Sequence, residues 1–184
     1  MQIVQLETPS HGVDVELLAA MHNAEFGGSR EFDVHAVGDT CYNFTCDKER
    51  KQVNCWIAYD EQNAPIGYLA ATIHRSFSSY RSYAIQEMWY VIPAHRTGRA
   101  STSLLLAYER WALMNRCERI YTQVEHDADP DIVYRIMKFL SFLGYKKQGY
   151  IAVKVTSPIR TSNKDDKDDP GTRRELGAEQ AQVE

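Results

Sequence analysis

The spacing of apolar residues divides the chain into short alternating runs and longer helical stripes. Ile3 to Glu7 reads as a first strand. Val13, Leu17, Ala20, Met21 and Ala24 recur at three- and four-residue steps and fall on one face of a helix. Val34, Val37, Cys41 and Phe44 form a second, weaker stripe that Gly38 interrupts. Val53, Cys55, Ile57 and Tyr59 then alternate, which is the period of a strand. Gln62-Asn63-Ala64-Pro65 is a turn, and Ile66 to His74 is the returning strand. Ser78 to Ser82 makes a second connection before a strand from Tyr83 to Ile92, which Pro93 stops. A helix starting near Arg99 carries Leu104, Leu105, Tyr108, Trp111 and Ala112 on its inner face. Arg119 to Glu125 is a fifth strand. Asp129 caps the last helix, with Pro130 at its first position. Ile132, Ile136, Phe139, Leu140 and Leu143 form its core stripe, Gly144 ends it, and Tyr150 to Val155 is a final strand.

The order is β-α-α-β-β-β-α-β-α-β, without internal repeats. It predicts an α+β domain with a mixed, mostly antiparallel sheet and helices on both faces. The segment from Tyr83 to Glu125 supplies a central parallel β-α-β crossover. From Ser157 onward large apolar residues almost disappear, while charges of both signs accumulate, five basic and seven acidic. Such a stretch buries too little surface to offset its ordering entropy. The expected organisation is therefore a domain over residues 1–156 and a flexible charged tail over 157–184.

With 184 residues and 43% hydrophobic content, the chain is long enough to bury a core without disulfides or metals. A net charge of −4 argues against a nucleic-acid partner and requires any anion site to be local. Cys41, Cys46, Cys55 and Cys117 contain no CxxC pair, and the six histidines form no HxxxH or HExxH pair. These patterns predict reduced thiols in a cytoplasmic protein and no metal. There is no signal-peptide pattern and no membrane-length apolar run.

The stretch from Val91 to Leu106, VIPAHRTGRASTSLLL, leaves a strand and enters a helix through small residues flanked by arginines. A helix N-terminus exposes unpaired N–H groups and a partial positive charge, so phosphates bind there readily. Thr97, Gly98, Ala100 and Ser101 leave room for a pyrophosphate to approach the backbone. Arg96 and Arg99 add charge, and Ser101 and Thr102 add hydroxyl donors.

The element order and this turn resemble the GNAT acyltransferase superfamily over about Gln2 to Val155. Its cofactor turn reads Arg/Gln-x-x-Gly-x-Gly/Ala after V-x-P and before paired leucines. Val91 and Pro93, Arg96, Ser101, and Leu104 with Leu105 match that pattern. Arg99 stands at the first motif glycine, and Thr97 replaces the glycine that often follows the leading arginine. The run RTGRAS is closer to the RGSRAG variant of phage-encoded members. AYERWA and Leu143-Gly144-Tyr145 add to the likeness.

The resemblance implies acetyl-CoA as co-substrate, with its pantetheine along Trp89, Tyr90 and Val91 and its pyrophosphate on Arg96 to Thr102. It implies direct attack by a primary amine of a protein or a small molecule. Backbone N–H groups near Met88 to Tyr90 would meet the oxyanion. Glu87, a charge inside the apolar run AIQEMWYVI, is the candidate base; the alternative is a surface ion pair with Arg75 or Arg81. The tyrosine that often protonates the leaving thiolate would fall at Leu140, which leaves Tyr134 on the same helix as the candidate acid. Glu125 and His126 would lie near the cleft mouth. An alternative function is a phage-type protein that keeps the fold and docks to a host enzyme.

Overall fold

The computed structural model describes residues 1–26, 32–46, 52–77, 80–96, 99–124 and 130–147, apart from the side chain of Phe44. The expected last strand, Tyr150 to Val155, and the tail from Ser157 lie outside the described residues. A five-stranded sheet runs in chain order: β1 (Gln2–Gln5), β2 (Val53–Tyr59), β3 (Pro65–Arg75), β4 (Ser82–Val91) and β5 (Arg119–Tyr121). The first four strands pair antiparallel, and β4 and β5 pair parallel. The helix joining β4 to β5 is α3 (Ala100–Met114), so the expected parallel crossover is present. The α+β class with a mixed sheet is as the sequence predicts.

Two cores lie on the two faces of the sheet. Trp56, Ala58, Leu69, Ala71, Ala84 and Val91 pack against α3 and against α4 (Pro130–Phe142). Cys55, Ile57, Tyr68, Ala70 and Tyr90 pack against α1 (Pro9–Glu25) and α2 (Val34–Cys46). Strand β2 is therefore apolar at both odd and even positions, as a central strand covered on each side must be. Gly67 lies where β3 meets the end of β4: a Cβ there would approach Tyr90 O to 2.7 Å and Val91 Cγ2 to 2.9 Å.

The apolar face of α1 named from spacing is not the buried one. Val13, Leu17 and Met21 are 63%, 52% and 42% exposed, while Gly12, Val15, Leu18 and Ala19 are buried. Helix α1 carries apolar residues around much of its circumference, so periodicity does not choose a side. The choice falls to the crossing with α2. Gly38, which reads as an interruption of the α2 stripe, is the contact itself: a Cβ there would meet Glu16 Cγ at 2.3 Å and Gly12 O at 3.0 Å.

Strand β5 is also shorter than expected. The ladder with β4 stops at Ile85↔Tyr121, and Thr122 to Val124 continue outside it. Glu125, like His126 and the capping Asp129, lies outside the described residues. All four cysteines are free thiols, three of them buried. Among the described residues no helix is long and apolar enough to cross a membrane, and no cluster of three metal-ligating side chains occurs.

Candidate active site

The site begins with an irregularity in β4. Ala71 pairs with Gln86 and Ala70 with Met88, so Glu87 is an extra residue with no partner across the ladder. This is a β-bulge, which bends a strand and re-aims side chains. The strand's faces exchange at this point. Ala84 belongs to the core under α3, yet four and six residues on, Met88 and Tyr90 belong to the core under α1. Trp89 and Val91 take over the α3 side.

Glu87 is held there by β3. Thr72 Oγ1 donates a hydrogen bond to Glu87 Oε1, and His74 Nε2 lies 2.8 Å from the same hydroxyl. The single hydroxyl proton is committed to the carboxylate, so His74 acts as the donor through Nε2–H. His74 Nε2 is itself 3.7 Å from Glu87 Oε1, and its ring stacks on Tyr83 at 5.7 Å. One carboxylate oxygen is thus anchored, while Oε2 has no protein partner among the described residues. Neither arginine considered for Glu87 pairs with it; Arg81 Nε binds Glu118 at 3.3 Å. Replacing Thr72 by Val removes the anchor at little change in volume. The expected result is a fall in turnover of about tenfold with acetyl-CoA affinity kept, read by steady-state rates beside calorimetry.

Glu87 opens onto a cavity of about 180 Å³ where β4 and β5 separate. Gln86 Oε1 accepts a hydrogen bond from Gln123 N at 3.1 Å at the crotch of that separation. Beyond it the cavity is walled by Met88 and Trp89 of β4, Val124 after β5, and Ile132 and Ile136 of α4. The end of α1 and the residues before α2 contribute His22, Phe26 and Phe32. The Trp89 indole Nε1 is buried without a hydrogen-bond partner among the described residues.

The expected cofactor turn is divided. Thr97 and Gly98 lie outside the described residues. Helix α3 opens at Ala100, with Arg99 as its N-cap and no side-chain cap bond. Ser103 N donates to Arg99 O in the first helical bond, which leaves the N–H groups of Ala100, Ser101 and Thr102 without helical acceptors. That is the donor set an anion needs. Arg99 and Ala100 line a separate cavity of about 220 Å³ with Asp60, Glu61 and His95.

Arg96 is already engaged. Its Nε donates to Val91 O at 2.8 Å, its Nη2 to Glu25 Oε2 at 2.6 Å, and its guanidinium lies over the Tyr90 ring at 5.6 Å. The Tyr90 hydroxyl also donates to Glu25, at 3.1 Å. Arg96 thereby ties the turn to the C-terminal end of α1. The hydrogen bond from Arg96 is the main reason the Glu25 carboxyl is held below its usual range, with desolvation opposing it. A depressed carboxylate stabilises the fold above its unfolded pKa and loses that contribution as pH falls through the folded one. The tie therefore survives mild acid. An NMR titration of the Glu25 side chain is expected to give a midpoint below the ordinary glutamate value of about 4.3, and Arg96→Ala to return it to that range.

The structure brings together Glu87, Trp89 and the α1 end, but not Tyr134. Tyr134 lies on α4 with 67% of its surface exposed, while Ile132 and Ile136 of the same helix face the cavity. Leu140, at the position of the family's tyrosine, is buried in the core. Sequence reasoning missed Thr72, His74, His22, Phe26, Phe32 and Glu25. Thr72 and His74 share a parity on the strand opposite Glu87, and that was the available signal. The others become neighbours only through the packing of α1 against the sheet.

The chain matches the family model described as "Acetyltransferase (GNAT) family" over residues 18–134. No curated protein matches it in sequence. Among solved structures it is similar to an aminoglycoside acetyltransferase from an uncultured soil metagenomic sample, at 19% identity, TM-score 0.64, and 84% and 98% coverage of this chain and that one. It is also similar to AAC(6')-Iy in complex with the bisubstrate analog CoA-S-monomethyl-acetylneamine, at 16% identity, TM-score 0.65, and 85% and 98% coverage. A second soil metagenomic aminoglycoside acetyltransferase, in complex with sisomicin, aligns at 14% identity, TM-score 0.63, and 85% and 96% coverage. These likenesses establish a shared fold, and the family match over well over half of the residues establishes descent: the chain belongs to the GNAT family of acetyl-CoA-dependent N-acetyltransferases.

Proposed function

We propose that the protein transfers the acetyl group of acetyl-CoA directly to a primary amine, with Glu87 as the general base. The observation that carries this reading is the bulge. It sets a carboxylate, anchored at one oxygen by Thr72 and free at the other, on a cavity between the diverging strands β4 and β5. An amine is protonated near neutral pH and cannot attack until it loses a proton. Glu87 Oε2 accepts that proton. The neutral nitrogen then forms a bond to the thioester carbonyl carbon, the carbon–sulfur bond breaks, and the second nitrogen proton passes to the departing sulfur, so that CoA leaves as the thiol. The CoA sulfur is a fair leaving group and takes this proton itself, so the leucine at position 140 is compatible with turnover.

Acetyl-CoA suits the residues present. The uncapped N–H groups of Ala100, Ser101 and Thr102 supply donors for its pyrophosphate. Beyond Ile85 and Tyr121, β4 no longer pairs with β5, which leaves backbone along Trp89 to Val91 for the pantetheine amides. Calorimetric titration with acetyl-CoA tests the reading first. Saturable micromolar binding is expected, followed by amine-dependent release of CoA. Absence of binding at millimolar acetyl-CoA overturns it and favours a protein that uses the fold for docking alone.

A further inference from the structure

The walls of the Glu87 cavity carry information about the acceptor. Among the described residues, the acidic group on them is Glu87, and the other polar side chains are His22, the Trp89 indole and the glutamines Gln86 and Gln123. Gln86 is already spent on Gln123 N. The rest of the described wall is apolar, and Phe26 and Phe32 make part of it aromatic. Phe26 and Phe32 set their ring planes at 83° and 70° to His22, with centroids 5.2 and 6.1 Å away. His22 in turn stacks flat on Tyr90 at 4.9 Å. These rings brace one another into a rigid edge-and-face wall. Ile132 and Ile136 also line the cavity, from α4.

Resting on the acetyl-transfer reading above, we infer that the acceptor presents its primary amine on one short aromatic or apolar arm. The ring or chain lies against Phe26, Phe32 and Ile136, and the ammonium meets Glu87. Size and polarity both support this. The cavity, about 180 Å³, is below the roughly 300–1,000 Å³ that drug-sized ligands occupy. It takes one arm of a molecule and not a multi-ring body. An aminoglycoside surrounds its reacting amine with hydroxyls and further ammonium groups. Against Phe26, Phe32, Ile132 and Ile136 those groups would lose their water without gaining partners.

The test compares three amines with the full-length protein and saturating acetyl-CoA: 2-phenylethylamine, ethylamine and sisomicin. The kcat/KM for 2-phenylethylamine is expected to exceed that for each of the others by at least about tenfold, since one buried ring outweighs several methylenes. Phe26 is 42% exposed, so Phe26→Ala is expected to keep the fold, which an unchanged circular dichroism spectrum checks. This substitution is expected to raise KM for 2-phenylethylamine about tenfold and to move that for ethylamine far less. Preference for sisomicin, equal use of ethylamine, or equal effects of Phe26→Ala on both small amines overturns the inference while leaving acetyl transfer standing. Turnover of none of the three, with acetyl-CoA bound, also overturns it. Failure to bind acetyl-CoA removes the acetyl-transfer reading, and the acceptor assignment with it.

Discussion

Glu87→Gln lowers kcat by about 10² to 10⁴ while leaving acetyl-CoA affinity within a factor of about two. The amide matches the carboxylate in shape and still accepts the hydrogen bond from Thr72, so the bulge and the cavity survive. What it loses is the capacity to take a proton. The size of the effect follows from what the base supplies: at neutral pH only a small fraction of an alkylamine is unprotonated, and a positioned carboxylate removes the remaining proton at the moment of attack. Raising the pH supplies the free amine from solution, so the deficit of the variant is expected to shrink toward alkaline pH. Stopped assays of acetylated amine across pH, beside calorimetry of acetyl-CoA, separate a missing base from a damaged site. A variant with both functions reduced would assign Glu87 to structure. Tyr134→Phe is the comparison: with its side chain outside the cavity, it is expected to keep the wild-type rate.

The difference between Glu87 and Tyr134 shows how far the sequence speaks about this site. Glu87 is legible because a carboxylate inside AIQEMWYVI conflicts with its surroundings, and such conflicts mark function or strain. The strand's turn of faces at that residue is not legible, because a bulge leaves the spacing of apolar residues nearly unchanged. Tyr134 is indicated only by its place on the helix relative to a family position. One residue's step around α4 separates a cavity wall from solvent, and pattern alone cannot settle that step when Ile132, Val133, Tyr134 and Ile136 are all apolar or aromatic. The same ambiguity misdirects the reading of α1, where two apolar stripes compete and Gly12 against Gly38 decides between them. The antiparallel pairing of the middle strands is readable because β2 to β4 follow one another through short connections, and each turn leaves its own composition. Arg96 was readable as important but not as engaged: its partner Glu25 is 71 residues away along the chain.

Gly67→Ala is expected to destabilise the protein by about 1–3 kcal/mol, the cost of forcing an extra methyl into a packed interior. The new Cβ would sit 2.7 Å from Tyr90 O and 3.2 Å from Val91 Cα, both backbone atoms that no rotamer change can move aside. Strand β4 must therefore shift away from β3 at Gly67↔Val91. That shift is not confined to stability. Val91 O holds Arg96 Nε, Tyr90 carries both Glu25 and the Arg96 guanidinium, and Ile92 N donates to Ile66 O beside the glycine. All of these lie between the bulge that presents Glu87 and the helix start that offers Ala100 to Thr102. A displacement of a few tenths of an ångström at the glycine changes the distance between the two ends of the proposed acetyl-CoA site. Thermal unfolding should show a lower Tm, and the folded remainder at low temperature should show weaker acetyl-CoA binding. Leu104→Ala provides the contrast. It opens a cavity under α3 and costs about 2–5 kcal/mol, yet it leaves the β3–β4 spacing alone. Cofactor affinity in its folded fraction should therefore hold. If Gly67→Ala melts early but binds acetyl-CoA normally, the glycine serves packing only, and the spacing of β4 from β3 does not set the cofactor site.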